Sequence, residues 1–337
     1  MTRTLHAVHG RWVLAMACAL AIFCVPSRAA HADIGNAGTT AGAFLALPPG
    51  AAAPGMAGAT LALSGDLSAA ALNPALLGSI TGLEIALAHA ELPDGSRNEW
   101  AAIGGAYGPL ATRWSLSGIY AGQGTFEGRD ALNQPTGSFS VSSMAAGASL
   151  AQPLGPFLSL GAGAKFVSEN LGPVTGSGAA FDAGITLRAG PLGLGASARN
   201  FGGAMEYGGL RYDFPVAYGA GVSLEHAGLR LEVDANMPAD YYNDVRAGIE
   251  YRWRDRVALR AGYQHELGGD PATEPLEGPS FGLGAGLRGV WLDYAYLPVV
   301  VGQTEHRLGV VLRPFAGGWR GGELGAKQAP ASPHGAR

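Results

Sequence analysis

Leu229-Arg230-Leu231-Glu232-Val233-Asp234-Ala235-Asn236 alternates apolar and polar residues without a break. After Met237-Pro238-Ala239-Asp240 the alternation resumes, with Val245, Ala247, Ile249, Tyr251 and Trp253 on one side and Arg246, Glu250 and Arg252 on the other. Following Arg254-Asp255, the residues Val257, Leu259, Ala261 and Tyr263 alternate with Arg260 and Gln264. A strand turns successive side chains to opposite faces, so each segment has one apolar and one charged face. Helical spacing would scatter the same residues around a circumference. A soluble sandwich would bury the apolar face, whereas a transmembrane barrel would turn it to lipid and the charged face to a lumen.

Working outward, alternating segments recur at 82–91, 98–108, 111–122, 138–152, 157–169, 177–189, 191–200, 215–226, 228–237, 243–254, 256–265, 279–288, 289–297 and 305–314. That makes about fourteen strands, an even number as single-chain bacterial barrels have. Tight turns at Gly108-Pro109, Pro153 to Pro156, Gly190-Pro191, Ala227-Gly228, Arg254-Asp255 and Arg288-Gly289 alternate with longer links, among them 123–137, 201–214 and 266–278. Short and long connections in strict alternation are the asymmetry of outer-membrane barrels, whose periplasmic turns are short and external loops longer. A soluble sandwich has no reason to keep every second loop short. Trp100, Trp114, Tyr120, Tyr218, Tyr251, Trp253, Tyr263, Tyr294 and Tyr296 fall mostly near strand ends, where aromatic girdles would meet the bilayer interfaces.

Composition and the amino-terminal residues agree. Arg3 and Arg11, the apolar run Trp12 to Val25 and Ala30-His31-Ala32 form the three-part pattern of a secretory signal cleaved near Ala32. Cys18 and Cys24, the only cysteines, would leave with it, which argues against a disulfide framework or a thiolate metal site. Removing Arg3, Arg11 and Arg28 changes 22 basic against 26 acidic residues to 19 against 26, a net charge of −7, and no feature points to nucleic acid. The chain has 54 Gly and only 14% charged residues, where about a quarter is usual for soluble domains. Beyond the signal, no apolar run approaches the ~20 residues of a spanning helix. The expected organisation is a signal peptide over 1–32, a Gly- and Ala-rich segment over 33–81, a barrel over 82–315 and a disordered tail over 316–337.

The segment 33–81 contains Gly50 to Ala59 and then Asp66-Leu67-Ser68-Ala69-Ala70-Ala71-Leu72-Asn73-Pro74-Ala75-Leu76-Leu77. Asp66 to Ala71 reads as a short helix, stopped because Pro74 disfavours helical dihedrals at Asn73. This block resembles the amino-terminal signature of FadL-like outer-membrane proteins, most closely the PorV/PorQ branch, in which an Asn-Pro-Ala-Gly motif follows a Gly/Ala-rich stretch. Here the motif is Asn73, Pro74 and Ala75, with Leu76 in place of the glycine. Lys165 to Glu169, Phe181 to Gly184, Ala198 to Gly202, Val245 to Tyr251, Leu259 to Tyr263, Leu292 to Tyr296 and His306 to Val310 also resemble family strand pairs and strand ends. The extension past Phe315 departs from barrels that end on their last strand. The resemblance implies that residues 33–81 sit inside the barrel as a hatch.

On a barrel the inward face acquires Glu84, Glu225, Arg230, Glu232, Asp234, Arg246, Glu250, Arg252, Arg260, Asp293 and Arg307. Charges so numerous cannot face lipid, where an Arg at mid-depth costs roughly 2–4 kcal/mol. They would either line a polar lumen and ligand path or form cross-strand Arg–carboxylate pairs that fill the barrel and hold the plug. Catalysis has little to build on. His89, His226, His265 and His306 are scattered, and no Gly-x-Ser-x-Gly elbow or metal-ligand spacing accompanies them. His265-Glu266 is the best candidate base, with a surface loop the better reading. Gly282-x-Gly284-x-Gly286 mimics a dinucleotide loop but lies inside an alternating strand. The expectation is therefore a non-enzymatic outer-membrane barrel without a cofactor, its partners being membrane lipids and a hydrophobic small molecule. A second reading, from the PorV resemblance, is a platform that docks exported protein cargo for type IX secretion.

Overall fold

The computed structural model describes residues 38–108, 111–268, 277–298 and 304–314. The expected signal and its cleavage point at Ala32, Phe315, the tail 316–337 and parts of two long links lie outside the described residues. Among those described there are sixteen strands, all paired antiparallel. The first half comprises β1 (Glu84–Glu91), β2 (Arg97–Tyr107), β3 (Thr112–Arg129), β4 (Pro135–Leu154), β5 (Leu158–Asn170), β6 (Thr175–Ala189), β7 (Leu192–Phe201) and β8 (Ala204–Tyr207). The second half comprises β9 (Leu210–Asp213), β10 (Ala217–His226), β11 (Leu229–Pro238), β12 (Asn243–Trp253), β13 (Val257–Leu267), β14 (Gly278–Leu287), β15 (Val290–Pro298) and β16 (Thr304–Leu312).

Fourteen of these close a barrel. Each pairs with its chain neighbour, β7 pairs across to β10, and β1 bonds to both β2 and β16, so no edge is left in the wall. The remaining two, β8 and β9, form a small hairpin attached to the first residues of β6. The sequence reading had left 201–214 as a plain link. Two-residue turns at Ala227-Gly228 and Arg288-Gly289 carry positive φ at both positions, the conformation whose twist matches a tight hairpin. No helix among the described residues is long and apolar enough to cross a membrane.

The distribution of side chains is inverted relative to a soluble protein. Val233 on β11 is 51% exposed and Leu283 on β14 is 56% exposed, whereas Glu250 is 1% exposed and Arg260 is 5% exposed. Leu116, Met144, Leu160, Phe166, Ile249 and Leu308 continue the apolar exterior around the cylinder. An apolar outside and a charged inside are stable when acyl chains replace water around the wall. Trp100 corrects the aromatic assignment. It lies inside, 5% exposed, packed with Leu67, Ala70, Leu77 and Ile80 of the plug and Ala86, Ala102, Ala151 and Val311 of the wall.

Residues 38–81 fill the interior. They contain a turn at Ala43–Ala46, a turn at Pro54–Met56, one turn of α-helix at Leu67–Ala70 and a 3-10 helix at Pro74–Ser79. The Asp66 carboxylate accepts from Ser68 N at 2.8 Å and so caps the short helix. Asn73 is extended at φ −146° and caps the next turn, with Pro74 at its first position. Leu76, the departure from the family glycine, is buried, and the turn continues through it.

Candidate functional site

Small residues let the plug touch the wall backbone to backbone. Asn73 is fully buried. It donates from Nδ2 to Leu61 O at 2.7 Å within the plug and to Ile185 O at 3.3 Å in β6, while its Oδ1 accepts from Ala75 N at 3.1 Å. Gly184 of β6 makes this possible, because a Cβ there would overlap Asn73 Oδ1 and lie 3.0 Å from Pro74 Cδ. On β5, β7 and β13, Gly161, Gly195 and Gly262 receive Ala75, Leu61 and Met56 in the same way. Gly282 of β14 approaches Gly55, where an added Cβ would sit 3.0 Å from the facing Cα. The Gly-x-Gly-x-Gly repeat of that strand is therefore a packing surface. Sequence reasoning missed these positions, although the inward phase of each strand marks them.

Wall carboxylates then accept from the plug's main-chain N–H groups. Asp234 Oδ2 takes Thr60 N at 2.9 Å and Leu61 N at 3.2 Å, and Glu232 takes Ala62 N. Glu225 accepts from Ser64 N at 3.4 Å and Glu84 from Leu67 N at 2.9 Å. Guanidinium groups serve the carbonyls: Arg230 donates to Ser64 O, Arg307 to Pro48 O and Arg188 to Ala62 O at 3.2 Å. A chain threaded through a bilayer-depth bore cannot bond to bulk water, so each of these contacts satisfies a group that would otherwise be costly.

The remaining predicted charges join one another. Glu250 accepts from Arg230 at 2.6 Å, Arg260 at 2.6 Å and Arg252 at 2.8 Å. Arg260 reaches on to Asp293 at 2.6 Å, which also accepts from Trp291 Nε1 at 2.7 Å. The Arg252 guanidinium lies 5.2 Å over the Trp291 ring, within cation–π range. This ladder occupies the short-turn end of the bore. Glu84 pairs there with Arg313 at 2.9 Å, and Glu225 with Arg188 at 2.6 Å and Arg230 at 3.1 Å. At the long-link end, Arg246 pairs with Asp244 at 2.6 Å and Arg307 with Glu305. Further inward charges were not singled out from sequence: Lys165 with Asp182 at 2.9 Å, buried Glu169, and buried Arg199. Their strands alternate small residues against small residues, so the period-two contrast that exposed Arg230 is weak there.

Two cavities lie on either side of the plug. The one at the long-link end has a volume of about 410 Å³. Pro215, Pro238, Pro279, Pro298 and Leu297 wall it, Ala46, Leu47 and Pro54 of the plug floor it, and Arg199, Asp244 and Glu277 are among its polar groups. The one at the short-turn end, about 400 Å³, is lined by the charged ladder, including Arg230, Glu250, Arg252 and Arg260. Plug residues at Ala53 to Ala57 stand between them.

Among the described residues no group of three or more His, Cys, Asp or Glu side chains could hold a metal ion. His265, the candidate base, pairs with Glu277 at 2.8 Å on the rim, with its side chain 55% exposed. His89 pairs with Glu99 at 2.7 Å, and His306 meets Tyr294 at 2.8 Å.

Closed wall, apolar exterior, charged bore and internal plug together define a transmembrane β-barrel of the outer-membrane type. Comparison with solved structures gives the same answer for the fold. The chain is similar to the toluene transporter TodX of Pseudomonas putida, at 13% identity over 78% of this chain and 96% of that one, with a TM-score of 0.55. It is similar also to the CymD monoaromatic hydrocarbon channel, at 14% identity over 78% and 96%, with a TM-score of 0.51. No protein-family model matches the sequence. No curated protein matches it either.

Proposed function

We infer that this barrel admits a hydrophobic small molecule from outside the cell and passes it inward past the segment 33–81, which acts as a hatch. The observation that carries this reading is the 410 Å³ cavity at the long-link end, walled by four prolines and floored by the plug. Its size suits a small ligand, since such pockets span ~300–1,000 Å³. The similar solved structures are a toluene transporter and a monoaromatic hydrocarbon channel, which favours transport over the docking of protein cargo. In this reading Asn73, Pro74 and Ala75 seat the hatch, consistent with the resemblance to the PorV/PorQ branch. Glu84, Glu225, Arg230, Glu232, Asp234, Arg246, Glu250, Arg252, Arg260, Asp293 and Arg307 line the lumen and keep the passage closed to ions by pairing with each other and with the hatch backbone.

The test is uptake of radiolabelled toluene into proteoliposomes. Ala46 is exposed to the outer cavity, and Ala46→Trp should lower uptake several-fold while heat-modifiable gel mobility stays normal. Uptake by the wild-type protein no greater than in protein-free vesicles, for toluene and for larger apolar probes alike, would sink the transport reading.

A further inference from the structure

The hairpin β8–β9 does more than close a loop. Its inner residues Met205 and Phe214 are fully buried, and they pack with Ala41, Phe44 and Leu45 at the outer end of the plug and with Ala145, Val167 and Ala180 of the wall. The main chains are joined as well, because Ala41 N donates to Asp213 O at 2.9 Å. Gly42 lies directly under the Phe214 ring, where an added Cβ would be 3.2 Å from the ring carbon, and its φ is +72°.

Glu169, at the outer end of β5, ties three elements at one buried carboxylate. It accepts from Gly42 N of the plug at 3.3 Å, from Ser143 Oγ of β4 at 2.8 Å and from Tyr207 Oη of the hairpin. Burial and the neighbouring carboxylate both push the Tyr207 phenol up, so it remains a donor. The hairpin is itself pressed onto β6: a Cβ on Gly178 would overlap Ala204 O, and one on Gly176 would overlap the Tyr207 ring. All four residues of β9 are exposed, Leu210 to 62% and Tyr212 to 40%, and the Tyr212 ring meets Tyr207 edge-on at 5.6 Å. The inner half of the plug is held by a separate set of groups, Asp234, Glu232 and Glu84.

The geometry points to β8–β9 as an external strap that clasps the outer end of the plug through Glu169, so that residues 40–47 can leave the wall only when the hairpin lifts. The plug thus has two independently fastened halves, and the outer one is released from outside. This inference does not depend on which solute crosses.

Hydrogen exchange read by mass spectrometry on the full mature protein in nanodiscs tests it. Glu169→Ala removes an acceptor shared by three donors, and exchange of the 40–47 peptide should rise about tenfold or more. The 59–70 peptide should keep its wild-type rate. Ser177 and Glu206 face each other across β6 and β8, a cross-strand pair close enough to bridge. The disulfide in Ser177→Cys/Glu206→Cys should slow exchange of 40–47, and reduction should restore it. Heat-modifiable mobility reports that each barrel is closed; should Glu169→Ala fail that check, Tyr207→Phe and the disulfide still decide the question. Equal acceleration of both peptides, or identical 40–47 exchange in the oxidised and reduced disulfide variant, would overturn the strap.

Discussion

Gly184→Ala places a single methyl group between the wall and the plug, and its effect can be worked out from the contacts around Asn73. The new Cβ would overlap Asn73 Oδ1 and stand 3.0 Å from Pro74 Cδ. Restoring an ordinary contact of about 3.5 Å requires Asn73 to withdraw by roughly 1 Å or more. That movement breaks or weakens its bonds to Leu61 O at 2.7 Å, Ile185 O at 3.3 Å and Ala75 N at 3.1 Å. At about 1 kcal/mol net for each buried hydrogen bond, the seated plug loses roughly 2–4 kcal/mol relative to a displaced one. Since 1.4 kcal/mol is a factor of about ten, the displaced population should grow roughly 30- to 1,000-fold. Planar-bilayer recordings should show this as a rise in the frequency of open events. Gly118→Ala is the control, because its nearest neighbour would be Ala145 O at 3.9 Å. Asn73→Ala removes the same bonds, so combining it with Gly184→Ala should add little. A folded Gly184→Ala barrel with wild-type opening frequency would refute the argument that this close approach seats the plug.

Glu250→Ala strips three guanidinium groups of a common acceptor; it should cost about 3–5 kcal/mol, read as a lower urea midpoint for folding into liposomes, and an unchanged midpoint would contradict the buried ladder. Val233→Arg puts a charge halfway along β11 on the exterior face and should destabilise by roughly 2–4 kcal/mol in a bilayer. The same substitution should be nearly neutral if that face met water, so the liposome titration separates the two environments.

Strand phase was readable because a period of two survives wherever one face is charged and the other greasy, as at Arg230, Glu232 and Asp234 against Leu231 and Val233. It faded where the wall stops contacting lipid. β3 runs on to Arg129 and β4 begins at Pro135, yet 123–137 had read as a link, because both faces of that ribbon are exposed and polar residues carry no phase there. The β8–β9 hairpin had a usable mark in Gly208-Gly209, both at positive φ, a pair that favours a tight hairpin turn. Its strands are four residues each, too short for alternation to show. Trp100 was placed at the bilayer interface from its position near a strand end, but register with Ala102 and Gly104 turns it inward. Glu169 could not be ranked from sequence, since its importance comes from Gly42 and Tyr207, 127 and 38 residues away.

The wall grips its plug by the spine. Asp234, Glu232, Glu225, Glu84 and Glu169 take main-chain amides, groups that every residue but proline possesses. Thr60, Ala62 and Ser64, held by their amides, are thus free to drift in identity so long as they stay slim and follow the same path. In distant kin the occupant should look like featureless alanine and glycine, while the acids that embrace it stay put.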